Sequence, residues 1–119
     1  MSTPKGIITA IEAKELNDNW TTLRAKENEV AAGQPDNRSS WYSIEDMQNF
    51  LNLIKEDNPS VNGVRFYLGV EKTKETPKGL TTIFMVPTVK VDNENKDISE
   101  ARAMDRGEDG MPPGQTYPN

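Results

Sequence analysis

The sequence predicts an α+β fold: two capped helices packed on one face of a small, mainly antiparallel sheet of three to four strands, followed by a mobile acidic tail. Three observations support that expectation. Two separate stretches carry helix-start signals followed by apolar residues at spacings of three and four. Two later stretches alternate and are rich in β-branched and aromatic residues. Beyond them the apolar period stops, and acids, glycines and prolines take over.

The first helix begins at Thr9-Ala10-Ile11-Glu12, where Thr9 can accept from free backbone amides while Glu12 reaches back. Ala13, Leu16, Trp20 and Leu23 then form one stripe, so the spacing predicts a helix over residues 10–25 that buries this stripe. Residues 26–40 have no period and contain Gly33, Pro35 and Asp36-Asn37, which read as a connecting loop. A short strand is expected within Ser39-Ser40-Trp41-Tyr42-Ser43.

Ser43 repeats the start signal, with Asp46 at the third helical position and Tyr42 placed to pack against Met47. Ile44, Met47, Phe50, Leu51 and Ile54 mark one face of a second helix that runs to about Lys55. Asp57-Asn58-Pro59 forbids continuation.

Residues 61–70 and 80–86, the latter extended to about 91, read as strands joined by an exposed polar loop. Pairing Val70 with Leu80 sets Phe66 opposite Phe84 on the core side. Arg65 and Tyr67 then share the other face with Met85 and Ile83. An arginine within such a strand has three readings: it is satisfied by an internal carboxylate, it belongs to a partner surface, or it clamps an anion in a pocket. Arg65, Tyr67 and Met85 are the candidate binding residues on the sheet. Tyr117, beside Met111-Pro112-Pro113, is the candidate in the tail, where an extended segment could dock.

The boundary is expected near residue 91, with domain 1–91 and tail 92–119. From Asp92 onward seven acids stand against three bases, whereas the first 91 residues are nearly neutral. With a net charge of −5 the chain repels phosphate, which argues against nucleic acid as a partner. Histidine and cysteine are both absent, so the usual general base, thiolate chemistry, disulfides and Cys-type zinc sites are excluded. No catalytic residue, metal site or cofactor is expected. Neither Asp92 nor Asp105 opens a calcium loop with glycine and ligands at the required positions, and Lys78-Gly79-Leu80-Thr81 lacks the upstream glycines of a phosphate loop. The apolar run near the start is too short for a secretory or membrane segment, so a cytoplasmic protein without membrane association is expected.

Trp41-Tyr42-Ser43-Ile44-Glu45, Gly63-Val64-Arg65-Phe66-Tyr67-Leu68-Gly69 and Thr81-Thr82-Ile83-Phe84-Met85-Val86-Pro87-Thr88 occur in that order. Over residues 40–88 the chain thereby resembles a group of small bacterial proteins, common in Bacteroidetes, that carries no assigned activity. The resemblance implies that Arg65, Tyr67 and Gly69 belong to a recurrent strand pattern, and it implies no catalytic residues. The leading functional expectation is a non-enzymatic binding protein (an adaptor, inhibitor or immunity-like module) that meets a protein partner, self-association included. The alternative is a small-molecule sensor or carboxylate-dependent enzyme holding an anion with Arg65.

Overall fold

The computed structural model describes residues 3–105 and 108–109. The fold is α+β, with two helical rods and a three-stranded antiparallel sheet. The first rod comprises α1 (Ala10–Trp20), a π-helical turn at Thr21–Ala25, and α2 (Lys26–Ala32). Its capping box forms as the residues require: Thr9 Oγ1 accepts from the Glu12 amide at 3.1 Å, and Glu12 Oε1 accepts from the Thr9 amide at 3.2 Å.

Two expectations for this rod are corrected. Residues 26–32, expected in a loop, are helical, because Lys-Glu-Asn-Glu-Val-Ala-Ala contains no breaker and the stop is Gly33 in the left-handed region at φ 73°. The π-turn also inserts a residue, which shifts the phase and hides a continued helix from a 3.6-residue period. Second, the expected stripe is covered only in part: Ala13 and Trp20 are half-buried, whereas Leu16 and Leu23 are about three-fifths exposed, and α1 has no fully buried residue. Contacts from Arg38 select the side of the rod that carries Asn17 and Trp20. Arg38 donates to the carbonyl and side-chain oxygens of Asn17 and lies 6.0 Å from the Trp20 ring.

The short strand β1 (Ser40–Trp41) pairs antiparallel with β5 (Glu108–Asp109). Then α3 (Ile44–Asp57) starts at Ser43, whose hydroxyl accepts from the Asp46 amide at 2.9 Å, and stops before Asn58-Pro59. This helix supplies the core: Phe50 and Ile54 pack on Met85, with Tyr42, Met47, Val61, Val64 and Met104 around them. Ile44, expected on the inner face, is exposed.

The sheet has the order β2 (Val61–Glu71), β3 (Leu80–Val91), β4 (Glu94–Asp97). In β2–β3, Val70 pairs with Thr81 and Phe66 with Met85, one residue away from the expected register. A one-residue slip reverses every side chain of one strand. Met85 and Pro87 are therefore fully buried, Met85 beneath α3, and Phe84 moves to the Arg65–Tyr67 face.

Within residues 92–105, expected as tail, Glu94–Asp97 add a strand to the sheet and Met104 a single bridge. Asp92 and Asn93 both take positive φ, 51° and 66°, in a two-residue turn that these side chains tolerate, and β4 returns along β3. Beyond it, Ile98 N donates to Pro87 O at 2.9 Å, and Met104 exchanges both backbone bonds with Met85 at 2.8 and 3.0 Å. Pro87 is accommodated in this strand because its missing N–H points to the edge where the chain bows out between Ile98 and Met104. Tyr117 and the Met111-Pro112-Pro113 stretch lie outside the described residues.

Candidate functional site

Alternation along β2 sends odd-numbered side chains to one face and even-numbered ones to the other. On the odd face, Arg65 and Tyr67 converge on Asp97 of β4, two strands away. Arg65 Nη1 donates to Asp97 Oδ1 at 2.6 Å, Arg65 Nη2 donates to the Asn95 carbonyl at 2.8 Å, and Tyr67 Oη donates to Asp97 Oδ2. Tyr67 also stacks on Phe84 with ring centroids 5.5 Å apart. Gly69 leaves room for that ring, since a Cβ there would stand 3.0 Å from Phe84 Cε1. The hydrogen bond to Asp97, with Tyr67 second, raises the Arg65 guanidinium above its ordinary value. The Tyr67 phenol is likewise raised, first by its bond to Asp97. The arginine is thus satisfied from within the chain, as one of its three readings required. The cluster stays partly open to solvent, with the Arg65 side chain 41% and the Asp97 side chain 29% exposed.

Of the four candidates, Arg65 and Tyr67 come together, Met85 lies on the opposite face in the core, and Tyr117 is outside the described residues. Asp97 and Asn95, which hold Arg65, are not among the candidate site residues of the sequence. Their signal was the Asp92-Asn93 pair between Val91 and Glu94, a turn dipeptide that brings a third strand back.

The even face divides in two. Where α3 lies, Val64 is partly covered and Met85 wholly so. Beyond the helix, Phe66, Leu68 and Val70 are 56%, 68% and 68% exposed, an apolar row on the outermost strand. Separately, a cleft of about 580 Å³ opens between α3 and residues 102–104, walled by Trp41, Tyr42, Phe50, Leu53 and Met104. Arg102 at its rim is held by Asp57 through bonds of 2.8 and 2.9 Å. The bond from Arg102 keeps the Asp57 carboxyl below its ordinary value.

Asp36 forms the remaining polar centre. Its carboxylate accepts from the Thr81 amide (2.6 Å), the Thr81 hydroxyl (2.5 Å), the Asn37 amide (2.9 Å) and Asn28 Nδ2 (3.0 Å), joining α2, the loop and β3. Among the described residues no group of three or more Asp or Glu side chains is placed to hold a metal ion, and no helix is long and apolar enough to cross a membrane. Comparison with protein-family models, with curated proteins and with solved structures gave no match.

Proposed function

We propose that this chain is a non-enzymatic, cytoplasmic binding protein, of the adaptor, inhibitor or immunity kind, that engages a protein through the outer half of β2. The observation that carries this reading is the exposed row Phe66, Leu68 and Val70. An apolar row on the outermost strand of a sheet is a surface on which another chain gains both burial and main-chain hydrogen bonds. The Arg65–Tyr67–Asp97 cluster supports that strand, because it ties β2 to β4 and fixes the sheet's other face. A photo-cross-linking residue at position 68, in the full chain expressed in its native host, tests the reading. Covalent protein adducts are expected at 68 and not at exposed position 56. Equal labelling at the two positions, or none at 68, refutes it.

A second reading, a small-molecule sensor, is favoured by the aromatic cleft between α3 and Met104. Arg65 lends this reading no support, since it lies on the opposite face of the sheet from α3 and does not line this cleft. Quenching of Trp41 fluorescence by small aromatic acids, in a Trp20→Phe background, tests it. Unchanged emission across such a series discards it.

A further inference from the structure

The two long strands differ in how their outer edges are treated. On β3, the edge facing away from β2 is occupied along its length. Thr81 N meets Asp36, Thr81 O meets Asn37 Nδ2, Ile83 O meets the Tyr42 hydroxyl, Met85 pairs with Met104, and Pro87 O accepts from Ile98. Met85 turns its N–H and C=O toward Met104, so Met85 and its β2 partner Phe66 form a non-hydrogen-bonded pair. It follows that Phe66, Leu68 and Val70 direct their backbone groups outward from β2. Among the described residues no strand pairs with them. From Val64 to Glu71 the strand also lacks the lysine, proline or bulge that ordinarily blunts an open edge; its irregularity lies at Val61/Gly63.

We infer that a second copy of this chain pairs with β2 edge to edge, antiparallel about Leu68, to make a continuous six-stranded sheet. The inference rests on the partner-surface reading of β2 and names its occupant. Charge complementarity selects the register. Two identical antiparallel strands can keep their faces aligned only in registers that pair even positions with even and odd with odd. Within residues 64–71 the only charges are Arg65 and Glu71. Pairing about Leu68 sets each Arg65 opposite the other copy's Glu71, and each Phe66 opposite Val70. Tyr67 then faces Gly69, which brings no side chain against it and leaves its stacking on Phe84 undisturbed. Since even residues point their backbone groups outward, Leu68–Leu68 and Phe66–Val70 become the hydrogen-bonded pairs. Arg65–Glu71 falls in the non-hydrogen-bonded set, where Cα atoms approach to about 4.5 Å and side chains are closest. Arg65 keeps its bonds to Asp97 and Asn95, and the second copy's Glu71 meets it by charge attraction across the edge and not by displacing either partner.

The test uses the full chain. Sedimentation velocity should show a concentration-dependent monomer–dimer equilibrium. Glu71→Arg, which sets like charges opposite and leaves Arg65–Asp97 untouched, should weaken it by about tenfold or more. Because the chain has no cysteine, single substitutions report the register directly. Leu68→Cys, on the two-fold axis with Cα atoms about 5.5 Å apart, should be joined by a short thiol cross-linker far faster than Val70→Cys, whose copies lie several residues apart. A wild-type chain that is monomeric at several hundred micromolar, a Glu71→Arg variant that dimerises as well as wild type, or faster joining at 70 than at 68 each overturns the inference. A monomeric chain whose position 68 photo-cross-links to a different protein overturns the second copy and retains the partner surface. A monomer with no adduct at 68 removes both.

Discussion

Replacing Asp36 with alanine tests whether one loop carboxylate holds the first helical rod to the sheet. The residue is only 9% exposed, and each oxygen accepts two bonds, Oδ1 from the Thr81 and Asn37 amides and Oδ2 from the Thr81 hydroxyl and Asn28. In Asp36→Ala the Thr81 hydroxyl and the Asn28 amide can turn toward water, whereas the two backbone amides are fixed by their chain. Bonds to a charged group contribute about 1.5–3 kcal/mol each and do not add fully, so the loss should be about 2–4 kcal/mol. For a domain of this size that corresponds to a fall in Tm of roughly 8–16 °C. Asp36→Asn keeps an oxygen for the two amides and can donate to Thr81 Oγ1, so it should lose about 1 kcal/mol. The two variants also separate in pH. Burial pushes the Asp36 carboxyl up, but the bonds from the Thr81 side chain and amide, from Asn28 and from Asn37 together outweigh it and hold the group below its usual value of 3.8. A carboxylate depressed in the folded state stabilises fully above its unfolded value and loses that contribution as pH falls through the folded one. Urea melts from pH 7 down to about pH 2.5 should show a steeper acid limb for wild type than for Asp36→Asn. An Asp36→Ala melt within 1 kcal/mol of wild type, or identical acid limbs, would refute the clasp.

Deleting residues 92–119 removes β4, the Met104–Met85 pair and the carboxylate that holds Arg65, and should lower Tm by more than about 8 °C; a thermal melt within 2–3 °C of wild type would mean that this segment does not support the sheet. Met85→Ala should lose about 2–5 kcal/mol because Met85 is fully buried under Phe50 and Ile54; a denaturant midpoint shift worth under about 1 kcal/mol would point back to the register that exposes it. Ser43→Ala should cost about 0.5–2 kcal/mol by chemical denaturation, and Thr9→Ala less, since α1 has no buried residue and frays locally; the reverse order would contradict the core assignment to α3.

Both N-caps, the stop at Asn58-Pro59 and the two long strands were legible in the sequence, because each depends on residues within a few positions of one another. Thr9 and Glu12 bond each other, Ser43 bonds the Asp46 amide, and alternation along residues 61–71 is a property of the strand itself. What followed the strands was legible only in part: Asp92-Asn93 is a turn signal, but whether the returning segment finds an edge depends on β3 offering one. Register, burial and partners were set by tertiary structure. An offset of one residue between β2 and β3 costs nothing locally, yet it decides whether Met85 or Phe84 enters the core, and α3 settles it by packing Phe50 and Ile54 on Met85. Leu16 and Leu23 sit on a regular apolar stripe, but periodicity states which side chains share a face and not whether another element lies against it; here Arg38, on Asn17 and Trp20, and the Asp36 clasp on Asn28 hold the rod and leave both leucines outside. Asp97 lies 32 positions from Arg65 along the chain, and only the sheet, by folding β4 back across β3, sets a carboxylate beside the guanidinium.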